Sequence, residues 1–69
     1  MSEHVPVQRV EVTFVGPPPT GQVERASGVS AVATEGSALC CVVTGSLQPF
    51  LEALYGHEVL HLSSSPITK

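Results

Sequence analysis

Hydrophobic and polar residues alternate over residues 7–15. Val10, Val12 and Phe14 fall on one side, and Arg9, Glu11 and Thr13 on the other. A period of two is that of a strand with one buried and one exposed face. Pro6, just ahead of it, suits a strand start, where a missing N–H costs little. Three prolines, Pro17 to Pro19, then force a stiff, extended connection. Beyond it Thr20 is expected to cap a short helix over residues 22–27, with Val23 and Ala26 facing inward and Gly28 ending it.

Residues 29–34 are β-branched or small and read as a second strand. Glu35-Gly36-Ser37 reads as a turn, with Gly36 free to take positive φ. Residues 39–44 form the returning strand of a hairpin. Leu39, Cys41 and Val43 share one face of it, and Cys40 and Val42 the other. Both faces are apolar, which marks a central strand or one whose open face meets a partner.

The strongest helical signal lies in residues 46–56. Leu47, Phe50, Leu51 and Leu54 are spaced i, i+3, i+4 and i+7, which lines them up as one apolar stripe. Ser46 is placed to cap the helix, Pro49 fits only its first turn, and Gly56 fits the position just past its end. Residues 58–63 read as the last strand, with Leu60 and Leu62 opposite Val59 and His61. The expected order is therefore strand, helix, strand, strand, helix, strand. That is the ferredoxin-like βαββαβ arrangement, an α+β domain with a four-stranded antiparallel sheet and two helices on one face. The other face of the sheet is left bare. Its expected residues are Arg9, Glu11, Thr13, Cys40 and Val42. A solvated sheet surface accounts equally well for Arg9 and Glu11.

Sixty-nine residues make one domain. We expect order over about 7–63, with tails at 1–5 and 64–69. A core this small supports a stability of roughly 3–5 kcal/mol unless a partner adds to it. Only 13% of the residues are charged, a low share for a fully wet surface, which points to part of it being covered. The formal charge is −3, and the three basic residues, Arg9, Arg25 and Lys69, are scattered. That leaves no electrostatic footprint for nucleic acid. The three aromatic residues, Phe14, Phe50 and Tyr55, do not make a stacking platform for bases. No apolar run reaches the roughly 18–20 residues that span a bilayer, and no export signal is legible in Met1-Ser-Glu-His4. Two reduced cysteines fit a cytoplasmic location.

Candidate chemistry is sparse. Cys40 and Cys41 are adjacent, and neighbours on a strand diverge, so they suit neither a disulfide nor a compact metal site. His57 and His61 would lie roughly 13 Å apart if both were on a strand, too far to share a metal. His57 is expected instead to favour the negative end of the main helix. The chain has no aspartate, and its glutamates fall on exposed faces or in turns. There is no nucleophile elbow and no phosphate-binding glycine loop. No catalytic residue, cofactor or metal ligand is expected.

Several short motifs together resemble one family. They are Arg9-Val-Glu-Val-Thr-Phe14 with Pro17-Pro18, Gly28-Val29, Glu35-Gly36 at a hairpin, a strand ending in Thr44-Gly45, Leu51-Glu-Ala-Leu54, and His57-Glu-Val-Leu-His-Leu62. This order is similar to the small C-terminal accessory domain of drug-resistance-type ATP-binding cassette transporter ATPase subunits, over roughly residues 8–63. The family continues into an acidic-aromatic helix, where this chain has Ser64-Ser-Pro-Ile-Thr-Lys69. Either the chain is trimmed there or it is a free-standing relative, and docking through that helix is in doubt. The resemblance implies a non-enzymatic regulatory or interaction module that acts through its open sheet face and edge strands. Its partner would be a protein, a parent ATPase domain or a second copy in a homodimer. It would meet the membrane only through a transporter complex. Two rival readings are a small-ligand sensor of the amino-acid-binding type, using the loop after the first strand, and a metal carrier.

Overall fold

The computed structural model describes residues 6–67. Six elements follow one another: β1 (Val7–Phe14), α1 (Thr20–Glu24), β2 (Val29–Glu35), β3 (Ala38–Thr44), α2 (Gln48–Glu52) and β4 (Val59–Pro66). The strands form one sheet in the order β2-β3-β1-β4, and every neighbouring pair is antiparallel. The fold class is thus α+β, with a four-stranded antiparallel sheet and two short helices.

The alternation in β1 and β3 builds the core. Val10 and Val12 lie opposite Cys41 and Leu39 across the central pair of strands, and Phe14 and Val43 join them in the same buried cluster. Val23 from α1 and Phe50 from α2 enter the same cluster, with Leu54 just beyond α2. Both helices therefore cover the same side of the sheet. β3 lies between β2 and β1, the central position that is one of the two readings of its apolar faces.

Gly28 shows how tightly the β2–β3 end is built. Its φ is +81°, its carbonyl accepts from Thr44 N–H at 2.8 Å, and an added Cβ would collide with the Thr44 carbonyl oxygen. Gly36, at φ +60°, makes the two-residue β2–β3 turn, where left-handed backbone matches the twist of the strands.

Four expectations change. First, the main helix is shorter than the 46–56 stripe: α2 ends at Glu52, and residues 53–56 continue as turns. Phe50 and Leu54 are buried, but Leu51 is 43% exposed. Five helical residues cannot turn a 100°-wide stripe wholly inward. Ser46 still helps the first turn, its Oγ accepting from Gln48 N–H at 3.1 Å, although Leu47 occupies the cap position.

Second, α1 spans Thr20–Glu24, not 22–27, so Thr20 lies inside it and no side chain caps it. The Pro17–Pro19 run leads directly up to it, with Pro19 at the cap position in a non-helical conformation (φ −81°, ψ 66°). Third, β4 runs to Pro66, so residues 64–66 are strand and not tail. Their partners are Val10, Arg9 and Gln8 of β1. The ladder needs no apolar side chains, which is why serines carry it. The expected tails at 1–5 and 68–69 lie outside the described residues, as does His4.

Fourth, the expected facing of β4 is altered by a register shift opposite Thr13 and Phe14. Val59 pairs with Phe14 and packs on the core, and Leu60 is left 68% exposed. His61 then sits opposite Thr13, and Leu62 opposite Val12.

Candidate functional site

The five residues singled out in the sequence come together on the helix-free side of the sheet. Arg9 pairs with Val42, Glu11 with Cys40, and Thr13 with Ala38, because directly opposed residues of an antiparallel pair share a face. Arg9 and Glu11 are exposed, while Thr13, Cys40 and Val42 are half-buried by their neighbours. β4 adds Ser65, Ser63 and His61 beside Arg9, Glu11 and Thr13. β2 adds Ser30, Ala33 and Glu35 beside Val42, Cys40 and Ala38. The β4 contribution is missed from the sequence, because it depends on where the register shift falls. The alternation of Ser63 and Ser65 with Leu62 and Ser64 is too polar to signal a strand.

Glu11 is the centre of this surface. One shallow depression, between β1 and β4, is lined by Arg9, Glu11, Ser63 and Ser65. A second, toward β2, is lined by Glu11, Ala33, Thr34, Glu35, Ala38 and Cys40. The Cys40 thiol donates to Glu11 Oε2 at 3.4 Å. That hydrogen bond, helped by desolvation and the carboxylate's charge, holds the Cys40 thiol above its ordinary range, with Arg9 opposing. Cys40 is therefore a thiol at neutral pH and a poor nucleophile.

Cys41 points the other way, into the core, where burial pushes its thiol up to about 11, with a smaller contribution from Cys40. The two sulfurs sit on opposite faces, so they do not form a joint ligand pair. Among the described residues no three of His, Cys, Asp or Glu are grouped as a metal would need. His57 and His61 are also separate. The His57 ring contacts Gln22 Oε1 at 2.9 Å and meets Phe14 edge-on, with ring centres 6.4 Å apart. It thus ties the α2–β4 connection to α1. The His57 backbone N–H donates to Leu54 O at 3.0 Å, which closes the turns that follow α2 and not the helix itself.

A third depression lies where the sensor reading would put its ligand, among Phe14, Val15, Gly16, Pro17, His57 and Glu58. It is poor in free donors. The Val15 N–H is taken by Glu58 O at 3.1 Å, and Pro17 has none. Among the described residues no helix is long and apolar enough to cross a membrane. In comparisons with family models, curated proteins and solved structures, none matches this chain.

Proposed function

We propose that the chain is a non-enzymatic interaction or regulatory module of an ATP-binding cassette transporter ATPase, docking through the open face of its sheet. One observation carries the reading. Both helices lie on one side of the strands, so no described element covers Arg9, Glu11, Thr13, Cys40 and Val42. That face mixes the half-buried Cys40 and Val42 with one cation, Arg9, and two carboxylates, Glu11 and Glu35, a composition suited to a protein partner rather than a small substrate. We take the architecture to be ferredoxin-like. The element order and the β2-β3-β1-β4 antiparallel sheet support this.

The family assignment rests on the motifs, and their placement supports it. Gly28 occupies a crowded left-handed position, Gly36 makes the hairpin turn, and Thr44-Gly45 ends β3. Leu54 and Val59 pack on the core. The reading puts the module in the cytoplasm, beside the nucleotide-binding domains and not in the membrane.

The test is to isolate the native polypeptide that carries this sequence, using an antibody to it. The expected result is an ATP-binding cassette ATPase, either continuous with the sequence or bound to it. Val42→Lys, which sets a charge in the middle of the open face, should then release the bound ATPase or change its hydrolysis rate by about tenfold or less. Absence of any such ATPase overturns the family assignment. An ATPase indifferent to Val42→Lys overturns the docking face.

A further inference from the structure

The two edges of the sheet are not alike. The β2 edge is broken by a register shift between Ser30 and Ala33, where Ala31 takes φ +53° and two β2 residues oppose one of β3. A bulge of this kind spoils an edge as a template for another strand. The β4 edge has no such device past Leu60, and residues 59–66 carry no charged Lys, Arg, Asp or Glu.

The hydrogen-bond phase of β4 says which groups face outward. The Ile67 N–H donates to Val7 O at 2.9 Å, so residues 67, 65, 63 and 61 bond to β1, and the alternate residues turn away from it. The N–H and C=O groups of Leu62 and Ser64 therefore point off the edge. Pro66 falls in the same outward phase, which is why a proline is tolerated there without loss of a ladder bond. It also ends the donor row at Ser64. Leu62 lies on the core side of the sheet, opposite Val12, yet is 40% exposed, and Leu60 is 68% exposed.

From this we propose that β4 is a pairing edge for a second copy of the chain. The two β4 strands run antiparallel about a two-fold axis at Ser63, giving one continuous eight-stranded sheet. Leu62 of each copy lies against Ser64 of the other, so both outward donors of each strand are used. A self-pairing strand needs no opposing charges, and this stretch has none to repel its own copy. The bulged β2 edges remain at the outside, so the assembly closes at two copies. The inference does not rest on the proposed function, because it uses the β4 edge and not the open face.

Amide hydrogen exchange on the unmodified chain tests it, read against sedimentation across a dilution series. The expected result is a dimer at high concentration in which the Leu62 and Ser64 amides exchange slowly. On dilution the mass falls to that of one chain and those two amides speed up together, while the Ser63 and Ser65 amides stay protected. Ser64→Pro removes an outward donor that β1 does not use, and should weaken the dimer about tenfold or more. Leu62→Lys should do the same if the proline variant fails to fold. A monomer at every concentration overturns the proposal. So does a dimer whose Leu62 and Ser64 amides exchange freely, since that dimer must form elsewhere, including on the open face.

Discussion

Among the described residues, Glu11 and Cys40 form the cross-strand side-chain hydrogen bond on the open face, and it has a chemical readout. Removing the carboxylate by Glu11→Ala takes away both the acceptor and the charge that hold the Cys40 thiol up. The pH–rate profile for alkylation at Cys40 should then move to lower pH, with faster labelling near neutrality; an unmoved profile sinks this account of the pair. Cys41 gives a stability readout instead. Its folded pKa, about 11, lies above the ordinary 9.0, so the folded state holds its proton longer than the unfolded chain does. The resulting stabilisation is complete below pH 9 and is lost as pH rises through about 11. Urea midpoints taken between neutral and alkaline pH should fall more steeply in the native chain than in Cys41→Ala, once each is referred to its own neutral value. Gly28→Ala is a steric test at the same scale. Left-handed φ and the Thr44 carbonyl both oppose a side chain, and a loss of about 1–3 kcal/mol in chemical denaturation is expected.

At the scale of elements, the sequence was most legible where side chains alternate against a buried face. β1 and β3 agree with the alternation to within a residue at either end, and their shared register brings together Arg9, Glu11, Thr13, Cys40 and Val42. A strand with one wet face leaves a period of two in its sequence, and that also places the candidate face. β4 was legible only as far as Ser63, because the rest of it is held by backbone pairing to β1, which serines permit but do not announce. Ser65 is lost from the candidate face for that reason, and His61 and Ser63 because the sequence does not show the register shift that turns them to it. α2 was overextended because apolar spacing at i, i+3, i+4 and i+7 does not say where a helix loses its cover. Leu51 and Phe50 belong to one stripe in sequence, yet only Phe50 is fully buried. Phe50→Ala should therefore cost about 3–5 kcal/mol and unfold much of the population, while Leu51→Ala should stay within about 1 kcal/mol of the native chain. Equal losses in thermal or urea melts would mean that the stripe packs as the sequence alone suggests.

At the scale of the molecule, nine buried hydrophobic residues among those described sustain a sheet of four strands, and the helices shield only one of its faces. A core of this size leaves a stability of roughly 3–5 kcal/mol, so the outer strand cannot be ornamental. β1 is central only because β4 covers its second edge; without β4 it would present unpaired backbone over its whole length. Residues 64–66 provide the part of that cover lying beside Gln8, Arg9 and Val10, and the Ile67 N–H extends it to Val7. Deleting residues 64–69 therefore removes several ladder hydrogen bonds, each worth about 0.5–1.5 kcal/mol net. The summed loss is comparable with the stability of the domain itself. The shortened chain should show a largely collapsed far-UV dichroism signal and no cooperative urea transition. The experiment belongs at low concentration, where β4 pairing between copies makes no contribution. If the last residues were only a tail, the shortened chain would melt like the intact one, and the β1–β4 ladder beyond Ser63 would have no part in holding the sheet together.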